Sequence, residues 1–206
     1  MELTYSKKKI TLDREEFEVD RFALNFITHL DRAGIRYVVI SGYVAISLGR
    51  SRNTEDVDMF VEKIPFGKFE EFWNSVSTEF ECMNAASAKD AYHEYLLNST
   101  AIRFSRKGKY IPNIEFKFAK TDLDRYSLDN ALDLVLNGNP VRISPIELQI
   151  AYKAFLGTEK DIEDATYLYE LLKGKLDLRL IHYFIPKLKI SRSAIRKIGI
   201  PDENRP

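Results

Sequence analysis

Residues 37–62 read YVVISGYVAISLGRSRNTEDVDMFVE, and this stretch decides the predicted fold. The run 35–41 is apolar and β-branched, which predicts a buried strand. Gly42 then allows a tight turn into a short helix of small and apolar residues. After a polar loop, residues 56–62 alternate between polar and apolar as a strand with one buried face does. The stretch therefore predicts two strands that belong to one sheet.

In the second of these strands, Asp56 and Asp58 point to the same side of the sheet, because side chains alternate along a strand. Two adjacent carboxylates repel each other unless a cation lies between them, and hard oxygen ligands suit Mg²⁺. A glycine turn into a helix favours phosphate oxygens, which makes Ser41 and Gly42 candidates for binding them. The alternatives are a strand end that faces water and an ordinary strand-to-helix turn.

The whole chain predicts an α+β fold. A mixed sheet, with strands 35–41, 56–62 and 110–118 as neighbours and helices on one face, would occupy residues 1–143. A C-terminal helical subdomain would occupy residues 144–206. The other predicted segments are helices at 15–33, 65–80, 88–97, 127–136, 145–155, 159–172 and 178–188, and strands at 100–105 and 140–143.

Composition excludes several classes of protein. The 206 residues are 45% hydrophobic and 12% aromatic, which is typical of a globular chain. A single cysteine excludes an internal disulfide and a multi-cysteine zinc site. With no long apolar run and no signal-peptide pattern, we expect a soluble cytoplasmic protein with no membrane partner.

Lys+Arg and Asp+Glu balance at 31 each, yet the charge is uneven along the chain. Residues 173–206 hold nine Lys/Arg and three Asp/Glu, a net charge of +6. Such a segment binds the phosphates of tRNA or another RNA, or it is simply the solvated face of a helix.

Residues 38–62 resemble the signature of the polymerase-β-type nucleotidyltransferase superfamily. That signature is an apolar strand, Gly-[Gly/Ser], nine to thirteen residues and Asp-x-[Asp/Glu]. Here thirteen residues separate Gly42 from Asp56, and Ser41 stands where the first glycine is usual. The pattern Arg52-x-Thr54-x-Asp56-x-Asp58 is also similar to small stand-alone members, including AbiEii-type abortive-infection toxins.

The resemblance implies Mg²⁺-dependent transfer of a nucleoside monophosphate from an NTP to a hydroxyl acceptor, with release of pyrophosphate at a two-metal site. Asp56 and Asp58 would be metal ligands and catalytic residues. Glu115 would be the third carboxylate, on a later strand where aspartate is commoner; the alternative for Glu115 is an exposed strand residue.

The same resemblance implies the residues that bind the nucleotide. Related proteins carry a helical lysine followed by Lys-Asp-x-x-Asp, and both features face the nucleotide cleft. The expected nucleotide-binding residues are therefore Ser41, Gly42, Arg52, Thr54, Lys153, Asp161 and Asp164. The alternatives are a solvated lysine and an exposed acidic helix face.

The sequence does not identify the acceptor, and a tRNA end, a protein hydroxyl and a small molecule all stay open. The alternative function is a non-catalytic module that binds a nucleotide or a partner, such as one component of a toxin–antitoxin pair whose partner is the antitoxin. Ser41 and Glu115, in place of the commoner glycine and aspartate, keep this alternative open.

Overall fold

A computed structural model describes residues 2–6 and 8–201. Its strands are β1 (Glu2–Ser6), β2 (Lys9–Asp13), β3 (Tyr37–Val39), β4 (Asp56–Val61), β5 (Phe80–Cys82), β6 (Ile102–Arg106), β7 (Asn113–Phe118), β8 (Leu132–Leu136) and β9 (Asn139–Ile143). Its helices are α1 (Glu18–Arg32), α2 (Gly42–Ser47), α3 (Phe66–Val76), α4 (Ala88–Asp90), which continues as a π-helix (Ala91–Leu96), α5 (Asp122–Asp129), α6 (Ile146–Leu156), α7 (Glu159–Leu171), α8 (Leu178–Leu188) and α9 (Arg192–Ile198).

The nine strands form one mixed sheet in the order β1-β2-β8-β9-β3-β4-β7-β6-β5. β4 is antiparallel to β3 and parallel to β7, so the three strands predicted as neighbours are neighbours. The register between β4 and β7 pairs Asp56 with Asn113 and Asp58 with Glu115. Because paired residues point to the same face, all four side chains share one side of the sheet.

Alternation along β4 separates the core from this polar face. Val57, Met59 and Val61 are fully buried in the main core, which also holds residues of α1, α2, α3 and the C-terminal helices. On the other face, Phe60 packs against a small cluster that includes Leu128 of α5. The mixed sheet and its packed helices confirm the α+β prediction, and α5 adds cover on the second face.

The predicted helix at 127–136 is wrong. α5 ends at Asp129, and Leu132–Leu136 form β8, paired with β9 in a hairpin. Asn137 and Gly138 have φ angles of 49° and 80°, the two positive values that a tight hairpin turn needs. The Asn-Gly pair that suggested the end of a helix is therefore the turn of a hairpin.

β9 ends at Ile143 and α6 begins at Ile146, close to the predicted boundary. The main buried cluster nevertheless runs without interruption from Ile10 to Ile200, across the sheet and helices α6–α9. The division into two domains stays a prediction.

The basic segment lies on the surface. Eight of its nine cations fall in the described part of the chain and all eight are exposed; they are Lys173, Lys175, Arg179, Lys187, Lys189, Arg192, Arg196 and Lys197. Arg205 lies outside the described residues. Among residues 2–6 and 8–201, no helix is both long and apolar enough to cross a membrane.

Candidate nucleotidyltransferase site

The turn before α2 has an unusual backbone. Ser41 has φ 63° and ψ −139°, a region that glycine enters freely and other residues enter at a cost. Its N–H donates to Oε1 of Gln149, 3.1 Å away on α6. The turn is therefore fastened to the C-terminal helices, and its conformation explains why a glycine would suit position 41.

Gly42 lets an arginine approach the same turn. A Cβ atom on Gly42 would lie 2.3 Å from Nη2 of Arg52, which is closer than two such atoms can come. The absence of a side chain at position 42 thus allows the Arg52 guanidinium to rest on the turn.

Asp56 and Asp58 lie half-buried on the polar face of β4. The hydroxyl of Thr54 lies 2.9 Å from the carbonyl oxygen of Asp56 and 3.1 Å from its Oδ1. Thr54 therefore orients the first carboxylate of the pair.

The environment of Asp58 disfavours its ionised form. Burial raises the pKa of Asp58 to about 6, and the positive charge of Lys117 opposes this rise. The negative charges of Glu115 and Asp56 add to it, and a hydrogen bond with the Ser41 hydroxyl partly offsets them. Burial is thus the main reason that Asp58 is costly to ionise.

Glu115 faces Asp58 but is held by two cations. Arg103 Nη2 lies 3.1 Å from Glu115 Oε2, and Lys117 Nζ lies 3.4 Å from Oε1. Lys117 Nζ also lies 4.0 Å from Oδ1 of Asp58. In the part of the chain that the structure describes, no three His, Cys, Asp or Glu side chains are gathered as a metal site. The predicted set of Asp56, Asp58 and Glu115 is thus on one face, with Lys117 between two of its members.

A cleft of about 230 Å³ opens beside this face, between the sheet, α5 and α6. Its polar lining includes Ser41, Asp58, Lys117 and Gln149. Its walls are otherwise mainly apolar, from Ile40, Phe60, Leu123, Leu148, Tyr152 and Leu156. Asp58 therefore borders this cavity, next to Ser41 and Lys117.

A second group of charges fastens the loop 49–55 to the C-terminal helices; we call it the loop–helix latch, and it consists of Arg50, Arg52, Lys153, Asp161 and Asp164. Asp164 is fully buried and accepts two hydrogen bonds from Arg52, at 3.0 and 2.9 Å. Lys153 Nζ lies 2.7 Å from Asp164 and 3.0 Å from Asp161, and Arg50 also pairs with Asp164. Three cations thus surround one buried carboxylate.

These contacts differ from the expected nucleotide contacts. Lys153 is 2% exposed, so it is neither a solvated lysine nor a side chain open to the cleft. Burial tends to raise the pKa of Asp164, but hydrogen bonds from Arg52 and Lys153 and their charges lower it below its usual range. The latch reaches the turn at Gly42 through Arg52, rather than through Lys153 directly.

Three residues of the site were not predicted. Lys117 and Asn113 share a face with Glu115 at two-residue spacing, so the alternation of β7 could have revealed them. Gln149 could not be found this way, because its link to Ser41 spans 108 positions.

Comparisons with known proteins support the fold and show the family. The fold is similar to an antigenic nucleotidyltransferase-like protein from Paracoccidioides brasiliensis, with 17% identity, a TM-score of 0.57 and coverage of 89% of this chain and 93% of that one. It is also similar to the antibiotic-resistance factor ANT(2'')-Ia, with 14% identity, a TM-score of 0.55 and coverage of 89% and 98%. At these identities the likeness shows the fold alone.

A third similar structure is the lincosamide antibiotic adenylyltransferase LnuA with lincomycin bound, at 9% identity, a TM-score of 0.50 and coverage of 77% of this chain and 99% of that one. A search of curated proteins gave no significant match. A family model described as "Nucleotidyl transferase of unknown function (DUF2204)" matches residues 21–197. Since that match covers most of the chain, the protein belongs to this family of nucleotidyltransferases.

Proposed function

We propose that the protein transfers a nucleoside monophosphate from an NTP to a hydroxyl acceptor with the help of Mg²⁺ and releases pyrophosphate. The observation that carries this proposal is the pairing of Asp58 with Glu115 across β4 and β7, beside Asp56 and next to the Ser41–Gly42 turn. This arrangement combines acids for a cation with a turn that suits phosphate oxygens.

The chemistry of the donor set fits Mg²⁺ at Asp56 and Asp58. The two carboxylates share one face, and burial together with like charges makes Asp58 costly to ionise without a cation. Asn113, which is paired with Asp56, has a buried Oδ1 with no hydrogen-bond partner, so a further oxygen ligand is available there. When bound, Mg²⁺ would offset negative charge on the nucleotide phosphates.

The chain's own residues then have separate tasks. Ser41 and Gly42 bind the β- and γ-phosphates, and Glu115 accepts the proton from the acceptor hydroxyl. The acceptor oxygen forms a bond to the α-phosphorus, and the bond from that phosphorus to the bridging oxygen breaks. Pyrophosphate leaves with the electron pair of that bond.

We assign a positioning role to the latch. Arg52 is held against Gly42 by Asp164, and Lys153 completes the pairing of that carboxylate. The latch therefore sets the position of the loop that enters β4 and, through Thr54, the orientation of Asp56. In this proposal Lys153, Asp161 and Asp164 act on the nucleotide through Arg52.

Two observations bear on the acceptor. The cleft of about 230 Å³ is smaller than a pocket for a drug-sized ligand, so it suits a small substrate or one end of a longer one. The eight exposed cations of the C-terminal segment support an RNA acceptor, whose phosphates they would contact. We propose a hydroxyl that enters this cleft, carried by a small molecule or by an RNA end.

Incubation with Mg²⁺ and each α-labelled NTP, together with total RNA, cell protein or a small-molecule extract, tests the proposal. We expect the unmodified protein to transfer label to one of these acceptor fractions, and we expect Asp58→Asn to transfer none. Asp133→Asn is the matched control, because it makes the same chemical change at an exposed aspartate on β8 that pairs with Arg142. Nucleotide binding without label transfer to any fraction would favour the non-catalytic module instead.

A further inference from the structure

Lys117 occupies an unusual place in the site. Its Nζ lies 3.4 Å from Glu115 Oε1 and 4.0 Å from Asp58 Oδ1, and it stands 5.2 Å from the centre of the Phe60 ring. The aromatic face and the two carboxylates all attract an ammonium group. These contacts hold one positive charge between the two paired carboxylates of β4 and β7.

The same contacts change what Glu115 can do. Arg103 binds its Oε2 while Lys117 binds its Oε1, so both oxygens already have a cationic partner. A carboxylate engaged in this way is a poor ligand for a divalent ion, because the ion would have to displace both cations. Consistent with this, no group of three acidic, histidine or cysteine side chains is assembled as a metal site within residues 2–6 and 8–201.

We propose that the ammonium group of Lys117 takes the place of a second divalent cation, so that the site binds a single Mg²⁺, at Asp56 and Asp58. The inference rests on the proposed function and deepens it, since two metal ions were expected there. A lysine suits this position because its ammonium is a compact point charge with three donors.

The position of Lys117 also gives it access to the reacting groups. It lines the cleft beside Asp58, and its side chain is 27% exposed. A hydroxyl that enters the cleft would meet the ammonium of Lys117, whose other side contacts Glu115. The ammonium would then stabilise negative charge that develops on the attacking and phosphoryl oxygens.

The test counts bound ions with Mn²⁺ as a paramagnetic substitute for Mg²⁺, by electron paramagnetic resonance on the full chain, with and without a non-hydrolysable NTP analogue. We expect one ion in the unmodified protein and a second ion in Lys117→Met, or at least a tenfold gain in Mn²⁺ affinity. Methionine keeps an apolar stem against Phe60 while it removes the charge. Lys120→Met is the matched control, because this exposed lysine follows the end of β7, and it should behave as the unmodified protein does.

Thermal unfolding of Lys117→Met confirms that the variant is folded, and Lys117→Gln replaces it where methionine prevents folding. Two ions in the unmodified protein, or one ion whose affinity is unchanged by Lys117→Met, would overturn this inference and leave the proposed function standing. If neither the unmodified protein nor Lys117→Met binds Mn²⁺, the metal site of the proposed function is wrong, and so is the proposed role of Lys117.

Discussion

The loop 49–55 joins two groups of charged side chains that balance their charges in opposite ways. In the latch, three cations surround the fully buried Asp164, whose pKa is lowered. At the acid site, which consists of Asp56, Asp58, Glu115 and Lys117, three carboxylates share one half-buried face, and the pKa of Asp58 is raised to about 6. The same residue types therefore give a carboxylate that is stabilised in its ionised form, Asp164, in one place and a carboxylate that is costly to ionise, Asp58, in the other.

The difference leads us to expect that the latch stabilises the protein and that the acid site binds a cation. Removing one member of a buried and fully paired cluster destabilises the protein, because the remaining buried charges lose their partner. A half-buried group of like charges costs stability until a cation binds, which is a common property of functional sites. Substitutions in the two clusters should therefore shift stability in opposite directions.

The largest expected effect comes from Asp164→Ala. This change leaves the buried ends of Arg52 and Lys153 and the partly buried Arg50 without their shared carboxylate, so we expect a loss of about 3–5 kcal/mol in the free energy of unfolding. Urea denaturation measures it. Glu163→Ala is the control, because Glu163 is exposed and forms a surface ion pair with Arg50, and its loss should lower the free energy of unfolding by less than about 0.5 kcal/mol. Equal losses in both variants would contradict the role of burial.

Asp58→Asn should instead raise the free energy of unfolding. An aspartate whose pKa is raised in the folded state makes the protein less stable as the pH rises through that pKa, here about 6. Removing the charge should therefore stabilise the metal-free protein at pH 8 by about 2–3 kcal/mol, since one pKa unit corresponds to about 1.4 kcal/mol.

The pH dependence provides the control for Asp58→Asn. The gain should shrink to about half near pH 5 and vanish as the pH approaches about 4, the ordinary pKa of an unfolded aspartate. Melting temperatures of both proteins across this range measure it. If Asp58→Asn were less stable than the unmodified protein at pH 8, the acids would be structural. The acid site and the latch would then not differ in the way described above.

Gly42→Ala tests how the latch contacts the Ser41–Gly42 turn. The added Cβ would lie 2.3 Å from Nη2 of Arg52, and we expect a loss of about 1–2 kcal/mol because the guanidinium must shift away from Asp164. Gly67→Ala is the matched control, since a Cβ there meets nothing within 4 Å and Gly67 lies inside α3. That variant should unfold at the same or a higher temperature.

The smallest effect is expected for Ser41→Gly. Glycine relieves the positive φ of 63° and should stabilise the protein by about 1 kcal/mol, as measured by thermal unfolding. Ser41→Ala keeps the backbone strain and removes only the hydroxyl, so it separates the effect of the strain from the effect of losing the hydroxyl. If Ser41→Ala stabilised the protein as much as Ser41→Gly does, backbone strain would not be the cause.

The sequence was sufficient for the part of the fold that depends on local pattern. Alternation and β-branched residues located β3, β4 and β7, and the shared face of Asp56 and Asp58 followed from the period of a strand. It failed at β8, where Leu132, Leu134 and Leu136 fit a helix or a strand equally well until pairing with β9 decides between them. It also missed β1 and β2, which join the sheet through the pairing of β2 with β8, more than 120 positions away.

The site shows the same limit. The resemblance predicted that Lys153 and Asp164 face the nucleotide cleft, but not that they bind each other and Arg52. Contacts between positions more than one hundred residues apart leave no periodic signal. The assignment of metal ligands and nucleotide-binding residues remains a prediction for the experiments above.

The latch has a consequence for exchanging parts between members of this family. Arg50 and Arg52 precede the sheet strand that carries the acids, whereas Lys153 and Asp164 belong to the helical half, and the four form a matched set of charges. A chimera that joins the sheet of one protein to the helices of another would bury unmatched charges unless all four positions are exchanged together. Compatible halves should therefore be recognisable by these four residues before any chimera is made.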